Sequence, residues 1–308
     1  MRVLCVGLTV CDLLVKPVDR AVLKLDTCTA DALTVNIGGD ACNVAVNLRE
    51  MGVSVSLMSA VGEDFFGRYI MDCLKEKDLG TDLIRTGKEE TARSAVLISN
   101  AGERCFISRK GACHKLRPSD VTDDILKDFD ILYIGSVGDL PAFEGESLAG
   151  LFARAKRFGL KTVLDVTGEV DRTTMRNMKE AFAHLDVFLP SIREARNMTG
   201  AAEAEECLKI LESEQVQTVC IKMGEAGSVL LRDGTLRRIP PYPADCADTT
   251  GAGDAFVSGF IAGITLGYDP EKCCALGNYA GSKAVEQLGA QVKLEKLETI
   301  VQNLTVEV

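Results

Sequence analysis

The sequence of 308 residues lacks a long apolar run, and this argues against a membrane-spanning helix. Such a helix needs about 20 consecutive apolar residues, and the nearest candidate, residues 255–267, is too short. The first residues, MRVLCVGLTVCDLL, are typical of a strand, because Asp12 interrupts the apolar run before any cleavage site of a signal peptide. We therefore expect no membrane partner.

Residues that bind zinc or nucleic acid are also scarce or badly spaced. There are only two histidines, His114 and His184, and none of the twelve cysteines forms a Cys-x-x-Cys pair, which argues against a zinc centre. Most cysteines lie in apolar segments, which indicates reduced core thiols and a cytoplasmic protein. The net charge of -10 argues against binding of nucleic acid by a basic face.

Two common nucleotide-binding motifs are missing. The sequence contains no G-x-x-x-x-G-K-[ST], so it is not a P-loop protein by motif. No G-x-G-x-x-G follows the first strand-like segment, so a Rossmann dinucleotide site lacks its main support.

The sequence does contain alternating strand-like and helix-like segments. The strand-like segments are residues 3–7, 54–61, 131–136, 162–166, 187–190, 219–223 and 228–232. The helix-like segments are residues 40–51, 64–77, 143–158, 202–214, 251–266, 270–288 and 294–304. This alternation predicts an α/β fold with a central, mostly parallel sheet covered by helices on both faces.

Two segments, about residues 13–37 and 91–115, break this alternation. The first has no convincing helix. In the second, strand-like residues 95–99 and 104–108 flank a turn at residues 100–103, which predicts a hairpin. We expect the two segments to form a small β-sheet that acts as a lid on a single domain spanning residues 1–308.

The segment DTTGAGDAF, residues 248–256, predicts an anion site at the start of a buried helix. The residues after it are apolar nearly all round, as in a buried helix. The first turn of that helix presents the free N–H groups of Ala252, Gly253 and Asp254 at the positive end of the helix dipole. Small residues, including Gly251, let a phosphoryl group approach this backbone.

Asp254 is then hard to explain by structure alone, because its carboxylate would repel a phosphate. In phosphoryl transfer to an alcohol, however, a carboxylate at this position could accept the proton of the hydroxyl. The alternative is that Asp254 only complements the helix dipole. The preceding glycines and the buried helix favour the catalytic interpretation.

A second polar cluster follows a strand near the N-terminus, in NIGGDACNVAVNLREMG, residues 36–52. Gly38 and Gly39 permit a tight turn and close approach of a ligand to the backbone. Asp40 is the predicted N-cap of the next helix. Asn43, in the first turn, has an amide that could bind hydroxyl groups. The alternative is that these residues serve capping and turn formation only.

The segment DTTGAGDAFVSGF resembles the C-terminal signature of the ribokinase-like (PfkB) carbohydrate kinase family. Residues 36–52 are similar to the N-terminal signature of that family, and the similarity extends from Arg2 to about Gly289. The resemblance implies a ribokinase-like fold in which residues 251–253 form the anion hole and Asp254 is the catalytic base. Residues 61–67, VGEDFFG, resemble a family element that positions the lid.

The resemblance also implies an acceptor site and a nucleotide site. The implied acceptor residues are Asp12, Gly38, Gly39, Asp40 and Asn43. The implied nucleotide residues are Lys222, Gly224 and Gly227, in a connection that could also be a plain β-turn, and Asn278 near the adenine.

Two carboxylates are implied to lie near metal ions. Glu194 resembles the glutamate of the family element Asn-x-x-Glu, which lies near Mg²⁺ and phosphate. Ser191 stands where that element has asparagine, and this departure puts the positioning of metal-bound water in question. Asp248 resembles part of a site for a monovalent cation such as K⁺.

The expected function is ATP- and Mg²⁺-dependent phosphorylation of a hydroxyl on a sugar or a sugar-derived acid. One alternative is a nucleoside kinase with the same fold, although the low aromatic content of 5% and the absence of tryptophan argue against a surface for a base. The other alternative is a non-catalytic ligand-binding relative, which only Ser191 favours.

Basic residues of the predicted lid bear on the identity of the acceptor. Arg93, Arg104, Arg109 and Lys110 cluster there, and we expect Arg109 to face an acidic group of the acceptor. The alternative is that these charges are simply solvated. The edges of the lid strands could pair between subunits, so we also expect a homodimer.

Overall fold

The computed structural model describes residues 1–19, 21–100, 104–287, 289 and 292–304. Its strands are β1 (Arg2–Val6), β2 (Val10–Lys16), β3 (Ala32–Gly38), β4 (Ser54–Gly62), β5 (Ile84–Gly87), β6 (Arg93–Ile98), β7 (Arg104–Arg109), β8 (Ile131–Val137), β9 (Lys161–Val166), β10 (Val187–Phe188), β11 (Thr218–Lys222), β12 (Ser228–Arg232) and β13 (Thr235–Ile239).

The α-helices occupy most of the connections between these strands. They are α1 (Asp40–Met51), α2 (Phe65–Glu76), α3 (Asp123–Leu126), α4 (Gly145–Arg157), α5 (Arg172–Phe182), α6 (Ile192–Thr199), α7 (Ala204–Ser213), α8 (Ala252–Thr265), α9 (Pro270–Val285) and α10 (Leu297–Asn303). None of the helices in the described part of the chain is long and apolar enough to cross a membrane.

Nine strands form a large sheet in the order β13-β12-β11-β10-β9-β8-β1-β4-β5. Within this order, the seven neighbouring strands β11, β10, β9, β8, β1, β4 and β5 pair in parallel. Strands β12 and β13 add an antiparallel edge. Asp233 and Gly234, with φ of 50° and 71°, form the two-residue turn between β12 and β13, as expected for a tight hairpin. The predicted mostly parallel sheet is confirmed.

Helices cover both faces of the large sheet. Successive side chains of each strand point to opposite faces, so each strand contributes to two buried clusters. In β1, Val3 and Cys5 belong to one buried cluster, which also contains apolar residues of α1, α8 and α9. Leu4 and Val6 belong to the other cluster, which contains residues of α4, α5 and α7. The sheet is therefore buried on both faces, and its central strands are largely apolar.

The start of α1 corrects one prediction. The N-cap is Gly39, with φ of 96°, and Asp40 is the first helical residue, so Asp40 is not the N-cap. A side chain at residue 39 would collide with the backbone of Leu8. The close approach of these two backbone segments therefore requires glycine and moves the helix boundary by one residue.

The four remaining strands form a separate small sheet in the order β3-β2-β6-β7. It comes from the two segments predicted to form a lid, and its existence is confirmed. In the predicted hairpin turn, residues 101–103 lie outside the described part of the chain. The predicted helix at residues 294–304 was wrong at its start, because α10 begins only at Leu297.

Candidate active site

Polar residues collect where the parallel strands end and where α1 and α8 begin. Ligands of open α/β sheets bind at this edge. A first cavity of about 550 Å³ lies beneath the small sheet and contains Asp12, Gly39, Asp40, Asn43, Arg109, Gly251 and Asp254 in its lining. A second cavity of about 700 Å³ contains Lys222, Gly224, Gly227, Ala252 and Asn278. Thr249 and Gly253 line both cavities, so the two meet at these residues.

Three predicted residues line neither cavity, namely Gly38, Glu194 and Asp248. Gly38 has an indirect role, because a side chain there would overlap the carboxylate of Asp12. Glu194 and Asp248 support neighbouring backbone, as described below.

The glycine loop, residues 248–253, is held in shape by Asp248. Its carboxylate accepts hydrogen bonds from the amide of Thr250 at 2.9 Å, the hydroxyl of Thr250 at 2.6 Å and the amide of Gly289 at 2.9 Å. Partial burial acts against the charge, but these hydrogen bonds outweigh it and lower the pKa of Asp248. Gly251, with φ of 76°, then caps α8.

Asp254 lies in the first turn of α8 and contacts the start of α1. The side-chain amide of Asn43 donates a hydrogen bond to its Oδ2 at 2.7 Å. Burial raises the pKa of Asp254 to about 6, although the Asn43 hydrogen bond opposes this shift. The two sequence clusters therefore meet in one site, and Asn43 does more than stabilise a local turn.

Two further carboxylates face the first cavity. Asp12, on β2, has its pKa raised to about 6 by burial, opposed by a hydrogen bond from Ser94. Asp40 has its pKa raised to about 7 by burial and by the negative charge of Asp254. The first cavity therefore holds three carboxyl groups whose affinity for protons is raised by their surroundings.

Lys222 reaches the junction of the two cavities from the end of β11. Its Nζ lies 2.5 Å from Oδ2 of Asp165, at the end of β9, and both side chains are largely buried. Burial disfavours the ammonium, but the charges of Asp165 and Glu194 outweigh it and raise the pKa of Lys222. The Nζ atom is also 3.7 Å from the position that a Cβ would take on Gly253, so a positive charge lies beside the glycine loop.

Sequence reasoning missed Asp165. The signal was present, because Asp165 is an acidic residue at the C-terminal end of a buried strand. A carboxylate there either binds a ligand or needs a cation as partner, and Lys222 is that cation.

Glu194 stabilises the start of the helix to which it belongs, α6. Its Oε2 accepts a hydrogen bond from the amide of Ser191 at 2.7 Å, and its own amide donates to the hydroxyl of Ser191 at 3.3 Å. This capping box fixes the start of α6, with Ser191 as the N-cap. The described residues contain no group of three or more His, Cys, Asp or Glu that would hold a metal ion by themselves.

In the second cavity, Asn278 and Gly227 both pack against the backbone at the end of β13. The amide of Asn278 donates to the carbonyl oxygens of Ile239, at 3.2 Å, and Pro240, at 2.9 Å. Gly227 has φ of 82°, and a side chain there would overlap the carbonyl oxygen of Ile239. Close backbone packing therefore shapes this cavity.

Two arginines of β7 behave differently. Arg109 lines the first cavity, and its Nε lies 3.3 Å from a carboxylate oxygen of Glu90. Arg104 instead crosses to the glycine loop, where Nη2 donates to the hydroxyl of Thr249 at 2.6 Å and Nη1 donates to that of Thr250. The sequence placed Arg104 on the lid but gave no sign of this contact, which joins residues about 145 positions apart.

Comparison with known proteins agrees with this architecture. A family model described as pfkB family carbohydrate kinase matches residues 1–297. The ATP-dependent 6-phosphofructokinase of Thermoanaerobacterium thermosaccharolyticum is 24% identical, over 89% of this chain and 87% of that protein. The cytidine kinase of Thermococcus kodakarensis is 26% identical, over 82% of this chain and 88% of that protein.

Among solved structures, Arabidopsis thaliana ribokinase complexed with ribose and ATP is similar along its whole length. The match has a TM-score of 0.84 and 23% identity, and it covers 99% of each chain. The large sheet with helices and the separate small sheet therefore form a ribokinase-like fold.

Proposed function

Because the chain belongs to the pfkB family of carbohydrate kinases, we propose that it transfers the terminal phosphoryl group of ATP to a hydroxyl of a sugar or sugar-derived acid. It is an ATP-dependent phosphotransferase with an alcohol acceptor. The proposal assigns the role of general base to Asp254. The observation that carries this assignment is the position of Asp254, which lies in the first cavity beside the junction with the second and is hydrogen-bonded to Asn43.

In this proposal the acceptor occupies the first cavity. Asp12, Gly39, Asp40 and Asn43 line it and offer carboxylate, backbone and amide groups to hydroxyls. One acceptor hydroxyl points to Asp254, which takes its proton as the new bond to phosphorus forms. The raised pKa of Asp254 makes it a better proton acceptor than an exposed aspartate, while it stays ionised at neutral pH.

The nucleotide occupies the second cavity and places its terminal phosphate over Gly253. Tyr242 and Phe256 give this cavity aromatic surface that suits an adenine ring. The amides of Gly253 and Asp254 lie in the first turn of α8. The N–H groups of a first turn have no carbonyl partner within their own helix. Together with Gly251 and Ala252 they form the proposed anion hole, and Lys222 adds a positive charge beside it.

The carboxylates near the junction suit the Mg²⁺ that the family implies. Mg²⁺ is usually held by one or two carboxylates together with phosphate oxygens and water. Glu194 is 7% exposed and uses Oε2 to cap α6, so it would act through a metal-bound water. When bound, the ion would neutralise charge on the phosphates.

A K⁺ ion near Asp248 is the remaining part of the proposal. Comparison of the activity in potassium salts with the activity in N-methylglucamine salts tests it.

The experiment that tests the proposed base measures ADP release with ATP and a panel of sugars, sugar acids, sugar phosphates and nucleosides. We expect one acceptor to give turnover and Asp254→Asn to lower kcat by at least about 10²-fold. Asp269→Asn is the matched control, because Asp269 also lies at a helix start, as the N-cap of α9, but lines neither cavity. Near-normal kcat in Asp254→Asn would exclude the carboxylate as the base. Binding without turnover of any acceptor would favour the non-catalytic alternative.

The acidic-acceptor part of the proposal depends on Arg109. Arg109 is among the residues that line the first cavity, and its side chain is 69% exposed, so an acidic ligand could replace Glu90 as its partner. We expect Arg109→Ala to raise KM for an acidic acceptor and to leave KM for ATP unchanged. An unchanged KM for the true acceptor would assign Arg109 to the solvated surface.

A nucleoside acceptor is the second candidate, and one side chain favours it. Phe106 of β7 lines the first cavity and is 55% exposed, so it offers an aromatic face on which a base could stack. Turnover of a nucleoside and loss of that turnover in Phe106→Ala would establish this alternative.

A homodimer through the small sheet is supported by the outer face of that sheet. Val35, Leu13, Ala95 and Ile107 face each other across its four strands. Val35, Leu13 and Ile107 are 39%, 37% and 60% exposed, which is unusual for a contiguous apolar row. We expect light scattering to show a dimer that Ile107→Glu converts to monomer, whereas Phe158→Glu, at an exposed site on α4's end, does not. A monomeric parent protein would refute this.

A further inference from the structure

Arg104 links the small sheet to the glycine loop through three contacts. It donates to the hydroxyls of Thr249 and Thr250, and its Nη1 lies 3.6 Å from Oδ1 of Asp248. Thr250 passes the link onward, since its hydroxyl and amide both donate to Asp248, which also binds the amide of Gly289. A single guanidinium therefore contacts the three residues that precede Gly251.

We propose that Arg104 is a positioning residue that makes the shape of the glycine loop depend on closure of the small sheet over the first cavity. This inference rests on the proposed function, because it assigns the loop to the transferring phosphate. With the sheet closed, Arg104 fixes the hydroxyls of Thr249 and Thr250, and the loop presents its N–H groups at Gly253. With the sheet displaced, these contacts are broken, while the hydrogen bonds of Asp248 with Thr250, Gly289 and Val285 remain.

The neighbouring basic residues do not share this role. Arg93 and Arg109 pair with Glu90, and Lys110 pairs with Asp139. Arg104 is 23% exposed in its pair with Asp248, whereas Arg109 is 69% exposed in its pair with Glu90. Arg104 therefore differs from the other cations of the hairpin in direction and in burial.

The chemistry of the side chain suits this link. A guanidinium is a planar fork that can donate to two acceptors at once, whereas an ammonium is a single point of charge. Hydrogen bonds to a charged group are stronger than those between neutral groups when their partners are held in place. A loop that takes its shape only under the closed sheet meets the phosphate where water is excluded, so phosphoryl transfer to water is suppressed.

Arg104 also lines the first cavity, so direct contact with the acceptor is the competing role. A double-mutant cycle of Arg104→Met and Thr249→Val separates the two. Valine keeps the shape of Thr249 and removes the hydroxyl that Arg104 binds. For a positioning role we expect each variant to lower kcat by about tenfold or more, the double variant to be no slower than the worse single one, and the acceptor KM to change little.

Thr235→Val is the control for that cycle. Thr235 lies on β13, is exposed and lines neither cavity. We expect it to leave kcat unchanged and to combine additively with Arg104→Met. Additive effects of Arg104→Met and Thr249→Val, together with a raised acceptor KM, would overturn the positioning role in favour of direct contact with the acceptor.

Hydrogen exchange gives a readout that does not depend on catalysis. We expect the hydrogen-bonded amides of Thr250 and Ala252, which donate to Asp248 and to the carbonyl of Thr249, to exchange about tenfold faster in Arg104→Met than in the parent protein, and at the parent rate in Lys110→Met. Arg104→Lys, which keeps the charge but not the fork, should show intermediate exchange even if Arg104→Met folds poorly. Unchanged exchange in both Arg104 variants would overturn the inference. Faster exchange without any kinase turnover would refute the proposed function and leave the structural link intact.

Discussion

The two cavities that meet at Gly253 are built in different ways. The first is lined by charged and polar side chains, including Asp12, Asp40 and Asp254. The second is lined largely by glycine, proline, aromatic and small residues, and close backbone packing sets its shape. The first cavity can therefore discriminate and react through side-chain charge, whereas the second recognises its ligand mainly by shape. Substitutions in the first cavity and in the second should therefore impair the protein in different ways.

The largest loss of stability is expected at the junction of the two cavities, where a buried ion pair lies between the polar first cavity and the apolar second one. Lys222→Met leaves the Asp165 carboxylate buried without its cation. Removing one partner of such a pair typically costs about 3–5 kcal/mol, and the side chains of Lys222 and Asp165 are only 13% and 5% exposed. Denaturant unfolding should show a loss of this size.

The double variant Lys222→Met with Asp165→Asn sharpens this test. It removes both charges, so we expect most of the stability to return while kcat stays low, because the positive charge beside Gly253 is gone. Full activity in the double variant would show that Lys222 serves the fold only. A single variant as stable as the parent would show that the pair is not effectively buried.

An intermediate effect is expected from backbone in the second cavity. Gly227→Ala forces a side chain onto a residue with φ of 82° and against the carbonyl oxygen of Ile239. Strained backbone of this kind costs about 1–3 kcal/mol, and the wall that Asn278 binds must shift. We expect weaker ATP binding, measured by calorimetry, with KM for the acceptor unchanged.

Gly234→Ala is the matched control for Gly227→Ala. Gly234 also has a positive φ, of 71°, but an added Cβ would meet nothing within 4 Å. We expect it to lower stability by about 1 kcal/mol without changing ATP affinity. Equal loss of ATP affinity in both variants would mean that general instability, and not the shape of the second cavity, controls binding of the nucleotide.

The same division explains how far the sequence could predict this molecule. Repeating patterns within one segment predicted seven of the nine strands of the large sheet, most of its helices and the small sheet, because strand and helix periodicity are local properties. The edge strands β5 and β13 were not predicted. Three helices were missed, namely the four-residue α3 and the longer α5 and α6, and for the two longer ones local signals were present. In α5, Asp171 and Thr174 form a capping box and Met175, Met178 and Phe182 form a helical stripe. In α6, Ser191 and Glu194 form another capping box.

Contacts between distant segments could not be predicted in this way. The glycine loop and Asn43 were found because glycine-rich helix starts have a clear chemical meaning. The pairing of Asp165 with Lys222 and the reach of Arg104 to Thr249 depend on how strands and sheets pack in space. No periodicity carries that information.

The smallest effect concerns the proton affinity of the first cavity. Asp254 must be ionised to accept a proton, and burial raises its pKa to about 6. The value of kcat/KM, which reports the free enzyme, should therefore fall as pH drops through about 6. Asn43 donates to the ionised carboxylate at 2.7 Å and so lowers this pKa. Asn43→Ala removes the donor, and the acidic limb should move to higher pH by about 0.5–1 unit.

A matched substitution separates this electrostatic effect from a general loss of activity. Asn177→Ala removes an exposed asparagine whose amide binds Glu144, and it should leave the acidic limb in place. Asn43→Ala should also raise the acceptor KM, but that change alters the height of the profile and not the pH at which it falls. A limb that stays in place, or moves to lower pH, would show that Asn43 does not stabilise ionised Asp254. The first cavity would then control its chemistry by shape, as the second does.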